Sequence, residues 1–249
     1  MQRTEIKTFT SKEISEREHI LKLFKECPIP EDMLLDNLPL FLNRRDLMRL
    51  LFIHELYKKI IDVHGVIMEF GVRWGKSMAL YESFRGIYEP YNHSRKIIGF
   101  DTFEGFPSVH EKDGTSDVVK VGAMSVTKNY EDYLSEVLDY HEHQSPIAHI
   151  KKYKLVKGNA VKELEIYLRE NPETIIALAY FDFDIYEPTK RCLELIKPHL
   201  TKGSVLGFDD LCVHDWPGET IALREVLGLS QCRIRRTCFS SLQTYSVIE

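Results

Sequence analysis

The fold is decided by the segment VIMEFGVRWGKS, residues 66–77, where an apolar run passes through a glycine turn into a helical pattern. A run that is apolar throughout predicts a strand covered on both faces, as the strands of parallel sheets are. The acid Glu69 lies near the end of this strand, and Gly71 and Gly75 precede the helix. The segment therefore predicts a strand, turn and helix with a ligand-binding turn at the carboxyl end of a parallel strand.

Downstream of this unit, short apolar runs alternate with amphipathic stretches long enough to form helices. The predicted strands are residues 66–70, 97–100, 153–156, 175–183 and 205–208. The predicted helices are residues 76–86, 130–140, 161–170, 188–196 and 218–227. Such an alternation predicts a doubly wound parallel sheet with helices on both faces.

The C-terminal end has a different pattern, with two strand-like runs at residues 233–239 and 243–248. The connection through Ser240 and Ser241 is too short for a crossover helix, so the runs are expected to form an antiparallel hairpin. Five parallel strands followed by a hairpin are typical of the methyltransferase variant of the Rossmann fold. The predicted fold class is therefore α/β, a Rossmann-like class I methyltransferase fold with a mostly parallel seven-stranded sheet.

The N-terminal segment is predicted to be helical. Thr10 and Glu13 form a capping-box pattern, and residues 43–63 show apolar side chains at helical spacing. The face expected to be buried consists of Leu47, Leu50, Leu51, His54, Tyr57, Ile60 and Ile61. We expect residues 1–63 to be a helical cap or interface segment and residues 64–249 to be the catalytic domain. The apolar helix is a candidate dimer face, so a homo-oligomer is expected.

The composition excludes several classes of protein. The chain has 33 Lys plus Arg against 38 Asp plus Glu, a formal charge of −5, and no basic block, which argues against a nucleic-acid partner. No apolar run approaches the roughly 20 residues that a membrane span needs, and the first residues lack a signal core. Five cysteines without a C-x-x-C pair favour reduced thiols. We expect a cytoplasmic protein without a membrane partner.

The glycine turn can be compared with two phosphate-binding motifs. A P-loop needs four residues between its glycines, whereas three separate Gly71 from Gly75, and the G-x-G-x-x-G fingerprint fails at Arg73. An acid with a glycine turn can instead receive the ammonium group of S-adenosylmethionine, with Glu69 as the acid. Two alternatives stay open: phosphate binding by Lys76 and Ser77, or an ordinary turn between strand and helix.

A second acid, Asp101, closes the second predicted strand within GFDTFEGFP, residues 99–107. An acid at this position accepts hydrogen bonds from the ribose hydroxyls of a bound nucleoside. A helix cap or turn would also explain an aspartate here. Together with the glycine turn, Asp101 predicts a nucleoside-binding site.

Four further acids follow the fourth and fifth predicted strands. Asp182 and Asp184 end the fourth, and Asp209 and Asp210 end the fifth. Because parallel sheets bind ligands at the carboxyl ends of their strands, these carboxylates are expected to converge. They would repel one another unless a cation or a proton neutralises them. Mg²⁺ fits oxygen ligands and could lower the pKa of a bound sugar or catechol hydroxyl. A solvated acidic rim is the alternative.

Three weaker features complete the candidate site. The segment 104–129 is long and polar, as loops that cover an active site often are. Residues 216–219 are predicted to form either a lid or the start of a helix, and His214 is a candidate base. The pattern around His141, His143 and His149 indicates a solvated loop rather than a metal site.

Four motifs together resemble those of the macrocin O-methyltransferase family, the metal-dependent sugar O-methyltransferases of natural-product pathways. They are EFGVRWG at 69–75, FDTFEGFP at 100–107, DFDIYEPT at 182–189 and FDD at 208–210. The resemblance covers roughly residues 40–230. It implies S-adenosylmethionine-dependent methylation of a sugar hydroxyl on a nucleotide-linked deoxysugar or a glycosylated natural product.

The resemblance also implies roles for the acids. Asp182, Asp209 and Asp210 would hold Mg²⁺, with Asp182 also counted as catalytic, and Asp184 would be the base. The donor is expected to lie against Glu69, Gly71, Arg73, Trp74, Gly75, Ser77, Asp101, Thr102, Phe103, Gly158, Asn159 and Ala160. Two alternatives remain: a kinase or NTPase that uses the segment 75–77, and a nucleotide-sugar binding protein without catalytic activity.

Overall fold

A computed structural model describes residues 10–240 and 242–249. Its centre is a seven-stranded sheet in the order β3-β2-β1-β4-β5-β7-β6. The strands are β1 Val66–Phe70, β2 Ile97–Asp101, β3 Tyr153–Lys157, β4 Ile176–Phe181, β5 Leu200–Phe208, β6 Arg235–Arg236 and β7 Thr244–Val247. Strands β1 to β5 are parallel, and β7 runs antiparallel to both β5 and β6. This arrangement confirms the predicted class I methyltransferase fold.

Eight α-helices surround the sheet or precede it in the described part of the chain. They are α1 Ser11–Lys25, α2 Glu31–Leu34, α3 Arg44–Lys58, α4 Lys76–Tyr88, α5 Tyr130–His143, α6 Ala160–Glu170, α7 Tyr186–Ile196 and α8 Gly218–Val226. Two apolar clusters result, one on each face of the sheet. No helix within the described ranges is long and apolar enough to cross a membrane.

A row of phenylalanine rings crosses the four central strands near their carboxyl ends. Phe70 stacks on Phe100 with ring centroids 5.3 Å apart and on Phe181 at 4.8 Å, and Phe181 stacks on Phe208 at 5.3 Å. These residues are also partners in the strand register. Successive side chains alternate between the two faces of a strand. The residues that follow the rings therefore project together from the opposite face of the sheet.

The helix predicted at residues 43–63 is present but ends earlier, and the face it turns to the core overlaps the predicted face only in part. Asn43 caps α3 by accepting hydrogen bonds from the backbone N–H of Arg45 and Asp46. The buried side chains are Phe52, Ile53, Leu56, Tyr57 and Ile60. Predicted positions such as Leu47 and Ile61 are exposed. The prediction was confirmed for Tyr57 and Ile60 and wrong for the exposed positions, because apolar residues occur on more than one side of this helix and spacing alone did not separate the buried side.

The N-terminal helices preceding α3 make little contact with the core. The predicted capping box of Thr10 and Glu13 is present at the start of α1, and α1 has no buried side chain. Phe24 packs edge-on against Phe41 with centroids 5.0 Å apart. In contrast, α3 shares an apolar cluster with the sheet. The division of the chain at residue 63 stays a prediction. The first nine residues of the predicted N-terminal segment lie outside the described part of the chain.

Two predicted segments differ in extent. The strand predicted at 233–239 pairs with β7 only at Arg235 and Arg236. Ser241, in the predicted hairpin connection, lies outside the described residues. The solvated loop predicted around His141, His143 and His149 was a wrong prediction for its first residues, since α5 continues to His143. Its last turn is held by buried Glu142, which accepts hydrogen bonds from the Arg85 side chain at 2.9 Å and the Lys152 backbone at 2.9 Å.

Candidate active site

The glycine turn after β1 is tightly constrained by its surroundings. Gly71 has φ 98°, and a Cβ atom there would overlap the backbone carbonyl of Asp182. Gly75 has φ 75° and is the residue before α4. These left-handed conformations favour glycine because it has no Cβ atom. The turn therefore brings its backbone close to the end of β4.

Asp101 joins the glycine turn to the end of β2. Its Oδ2 accepts a hydrogen bond from the Arg73 backbone N–H at 2.7 Å, and its Oδ1 accepts one from the Phe103 backbone N–H at 2.6 Å. Burial raises the pKa of Asp101, while these backbone donors oppose the shift. Asp101 thus acts as a turn-fixing residue. A carboxylate offers about four lone-pair sites, so the donors Arg73, Phe103 and Val72 leave a site that could accept a ribose hydroxyl.

Glu69 lies beneath the glycine turn and is almost fully buried. The Ser77 hydroxyl donates to its carboxyl group, and burial followed by the charge of Asp182 raises the pKa of Glu69 well above its usual range. Among the described residues, no hydrogen-bond donor reaches its Oε2. A buried oxygen without a partner is costly, so Glu69 lies ready to accept a donor from a ligand.

Other predicted donor residues lie around the same turn. Trp74 is partly exposed and packs edge-on against Tyr130 at 4.8 Å. The Thr102 hydroxyl donates to the Gly105 carbonyl at 2.7 Å and shapes the start of the covering segment. The Gly158 N–H donates to the Asp101 carbonyl at 2.9 Å. Asn159 caps α6, which begins at Ala160. The structure thus brings the three predicted donor-binding segments together.

The predicted acid cluster is assembled at the ends of β4 and β5. The backbone N–H of Asp209 donates to the Phe181 carbonyl at 3.0 Å, which continues the pairing of the two strands past their ends. Burial, together with Asp209 and Asp210, raises the pKa of Asp182 to about 7, against the opposing charge of Arg49. Burial and Asp209 raise the pKa of Asp210 to about 6. These carboxyl groups are therefore closer to neutrality than exposed aspartates.

Asp184 and Asp210 form a hydrogen-bonded pair of acids. Burial and the charge of Asp210 raise the pKa of Asp184 well above its usual range, and the Asp184 side chain donates to that of Asp210. Asp184 also has φ 62°, an uncommon backbone conformation for a non-glycine residue. The proton of the pair thus resides on Asp184 when Asp210 is ionised.

Glu219, at the start of α8, fastens the two strand ends together. It is fully buried and accepts hydrogen bonds from the backbone N–H groups of Phe183 at 3.2 Å, Asp184 at 3.4 Å and Asp210 at 3.3 Å. The sequence pattern at residues 216–219 predicted only a lid or a helix start for this residue. The sequence shows only that Glu219 is an acid following a Pro-Gly pair at a helix start. The backbone groups that it binds could not be predicted, because Phe183 and Asp184 are distant in sequence.

Arg49 is the functional residue that the sequence analysis missed. Its guanidinium bridges Asp182 and Asp209, with 3.1 Å from Nη1 to the Asp209 carboxylate. Burial alone would lower the pKa of Arg49, but the two aspartates raise it well above its usual value. The sequence held one indication of this role. Arg49 precedes Phe52 and Ile53 by three and four residues, so it lies on the same face of α3 as these buried side chains.

The predicted magnesium site at Asp182, Asp209 and Asp210 is not supported by this arrangement. The described residues include no group of three or more His, Cys, Asp or Glu side chains placed to hold a metal ion. The physical reason is that Arg49 engages one oxygen of Asp182 and one of Asp209. Their charge is thus partly neutralised by the protein itself.

The segment predicted to cover the site packs against the ends of β4 and β5. Phe106 and Trp216 belong to a small apolar cluster with Ala123 and Ile185, and their rings are 6.1 Å apart. Asp113 accepts a hydrogen bond from the Tyr186 backbone N–H at 2.5 Å. Because Trp216 is buried and α8 begins at Gly218, residues 216–219 form a helix start, which was one of the two predictions. His214 is exposed.

Comparison with solved structures identifies the family. The crystal structure of CalS11, calicheamicin methyltransferase, is 43% identical and superposes with a TM-score of 0.94, covering 99% of this chain and 98% of that one. The chain belongs to the CalS11 family of O-methyltransferases. An apo structure of CalS11, described as a TDP-rhamnose 3'-O-methyltransferase, matches at 42% identity and a TM-score of 0.85, covering 96% of this chain and 95% of that one.

A more distant match supports the fold alone. The O-methyltransferase NovP is 19% identical, with a TM-score of 0.57 over 81% of this chain and 79% of that one. No protein-family model matches the chain, and a search of curated proteins returned no match.

As a CalS11-family member, the chain is an S-adenosylmethionine-dependent O-methyltransferase. The kinase or NTPase alternative is not favoured. Ser77 is buried and donates to Glu69, and Lys76 lies 3.8 Å from Asp46. The alternative of a binding protein without catalytic activity is likewise not favoured by the family.

Proposed function

We propose that this enzyme transfers the methyl group of S-adenosylmethionine to a hydroxyl of a nucleotide-linked deoxysugar. The observation that carries the proposal is the near full-length similarity to CalS11, the TDP-rhamnose 3'-O-methyltransferase, at 42% identity. The acid cluster beside the glycine turn supports it, because a polar, proton-accepting pocket suits a sugar hydroxyl. A glycosylated natural product is the other acceptor class.

The donor is proposed to bind across the carboxyl ends of β1 and β2. Glu69, with its unpartnered Oε2, would accept the ammonium group of the methionyl moiety. Asp101 would accept the ribose hydroxyls through lone pairs that its backbone donors leave free. Gly71 lets the turn pass close to the Asp182 backbone, which places the turn at the edge of the proposed donor site. The segment 158–160 follows β3 and lies next to Asp101.

The proton of the acceptor is proposed to pass to the pair of Asp184 and Asp210. Methyl transfer is a direct displacement, so the protein must align the acceptor oxygen with the methyl group and remove one proton. The pair holds a single proton when Asp210 is ionised, and the pKa of Asp210 at about 6 leaves it ionised at neutral pH. It can therefore accept the second proton as the oxygen–methyl bond forms.

Two expectations stay predictions, and the predicted Mg²⁺ is not among them. Mg²⁺ takes no part in the proposed steps, because Arg49 already engages Asp182 and Asp209. A cytoplasmic location and a homo-oligomer, predicted from the cysteines and from residues 43–63, accompany the proposal without entering the chemistry.

The test is methyl transfer with purified protein, isotopically labelled S-adenosylmethionine and TDP-rhamnose, read out by mass spectrometry of the nucleotide sugar. We expect a singly methylated nucleotide sugar and no product from free rhamnose. Asp210→Asn, which removes the carboxylate that is ionised at neutral pH, serves as the inactive control. Methylation of glycosides but not of nucleotide sugars would move the acceptor to the other class. Donor binding without transfer to either class would refute the proposed function.

A further inference from the structure

Arg49 reaches the acid cluster because α3 is anchored in the core directly behind it. Phe52 packs against Tyr180 of β4, with ring centroids 6.4 Å apart. Leu56 lies against β5, so close to Gly207 that a Cβ there would be 2.8 Å from its Cδ1. These contacts are one and two turns after Arg49 on the same face of the helix. The guanidinium is thus placed by buried packing at the ends of β4 and β5.

Protein donors engage both oxygens of Asp209. Its Oδ1 accepts hydrogen bonds from the Tyr180 hydroxyl at 2.7 Å and the Gln243 side-chain amide at 3.1 Å, and its Oδ2 accepts from Arg49 at 3.1 Å. A divalent ion would have to displace the guanidinium from Oδ2 or compete with the donors on Oδ1. Asp182 is held by the same guanidinium.

We propose that Arg49 supplies the fixed positive charge of the acid cluster, in the position that the sequence analysis assigned to a divalent ion. A planar guanidinium can bind two carboxylates in a fixed geometry, whereas an ammonium group acts as a point charge. Arg49 keeps Asp182 and Asp209 at the ends of their strands and places positive charge beside the proton-accepting pair. It is a positioning residue that α3 contributes to the catalytic domain.

The proposal makes Arg49 and Mg²⁺ competitors for the same carboxylates. Replacing Arg49 with glutamine removes a positive charge and leaves Asp182 and Asp209 without their shared partner. Oxygen ligands with uncompensated charge attract a divalent ion. The affinity for Mg²⁺ should therefore rise in Arg49→Gln, while methyl transfer in the wild-type enzyme should survive removal of metal.

The experiment is calorimetric titration of MgCl₂ into EDTA-treated full-length protein saturated with S-adenosylhomocysteine. We expect Arg49→Gln to bind Mg²⁺ about tenfold more tightly than wild type or more, because a nearby positive charge has gone. The matched control is Arg44→Gln, at the exposed first position of the same helix, which should stay within about twofold of wild type. Arg49→Lys keeps the positive charge but loses the planar guanidinium that binds two carboxylates, so its Mg²⁺ affinity should lie between those of wild type and Arg49→Gln.

A second measurement compares methyl transfer by the wild-type enzyme before and after exhaustive chelation, and we expect rates equal within about twofold. This arm rests on the proposed function, whereas the calorimetry does not. Loss of transfer on chelation with recovery on added Mg²⁺ would overturn the proposal, and so would Mg²⁺ affinities that are equal in Arg49→Gln and Arg44→Gln. If Arg49→Gln does not fold, the proposal is tested by the Mg²⁺ affinity of Arg49→Lys and by the rate of methyl transfer after chelation. Absence of any transfer, with normal binding of S-adenosylhomocysteine, would count against the sugar acceptor and leave the calorimetric result intact.

Discussion

The buried Glu82 should make the enzyme less stable as the pH rises from 5 to 8, and Glu82→Gln should remove much of that loss. Glu82 lies on α4, is fully buried, and has no hydrogen-bond partner for either carboxyl oxygen among the described residues. Burial raises the pKa of Glu82 to about 8, with Arg85 opposing the shift and Glu142 adding to it. In the unfolded chain the same side chain titrates near its ordinary value of about 4.3.

The size of the effect follows from the two pKa values. Between them the folded protein binds more protons than the unfolded chain, so the free energy of unfolding falls as the pH rises. Each pH unit in this window costs about 1.4 kcal/mol. From pH 5 to pH 7 the wild type should therefore lose about 2 to 3 kcal/mol through Glu82 alone. Glutamine cannot ionise and escapes this loss.

Urea unfolding followed by circular dichroism at pH 5, 6, 7 and 8 measures the effect. Relative to wild type, Glu82→Gln should gain about 2 kcal/mol or more between pH 5 and pH 7. The matched control is Glu136→Gln, an exposed glutamate of α5, whose difference from wild type should change by less than about 0.5 kcal/mol. The same pH dependence in both variants would refute the reasoning, because the loss would then not come from Glu82.

Three further outcomes are expected. Asp101→Ala should weaken S-adenosylhomocysteine binding by about 1.5 to 3 kcal/mol, the range for a lost hydrogen bond to a charged group, and calorimetry showing unchanged affinity would remove Asp101 from the donor site. Gly71→Ala should lower the free energy of unfolding by about 2 kcal/mol or more, because its Cβ overlaps the Asp182 carbonyl. Gly122→Ala, also at positive φ but with no atom within 4 Å of its Cβ, should lower the free energy of unfolding less. Urea unfolding compares the two variants, and equal losses of free energy would contradict the steric explanation. Asp210→Asn should lower kcat by about 10² to 10⁴ with donor affinity preserved, because it removes the carboxylate that is ionised at neutral pH, and a normal turnover number would exclude Asp210 as the proton acceptor.

The sequence was sufficient for the strands and the glycine turn because these signals are local. The run before Gly71 and the acids after β4 and β5 lie within a few residues of the structures they predict. Arg49 and Glu219 were missed because their partners are distant in sequence: Asp182 is 133 residues from Arg49, and Phe183 is 36 residues from Glu219.

The buried face of α3 shows a second limit of sequence patterns. Apolar residues occur on more than one side of the helix, and packing against β4 and β5 selected the side with Phe52, Ile53 and Leu56. That choice also oriented Arg49. A residue's role in the active site therefore depended on a rotation of the helix that no local pattern specified.

The stacked phenylalanines limit how this enzyme can change its acceptor. Neighbouring strands lie about 4.8 Å apart, so the residues after the rings, Gly71, Asp101, Asp182 and Asp209, stand at intervals set by the sheet itself. Shifting one of them would require the whole row of rings to repack. The segment 104–129 pairs with no strand of the sheet and carries no such constraint. New acceptor preferences should therefore evolve by exchange of this segment, over an unchanged row of acids held by Arg49.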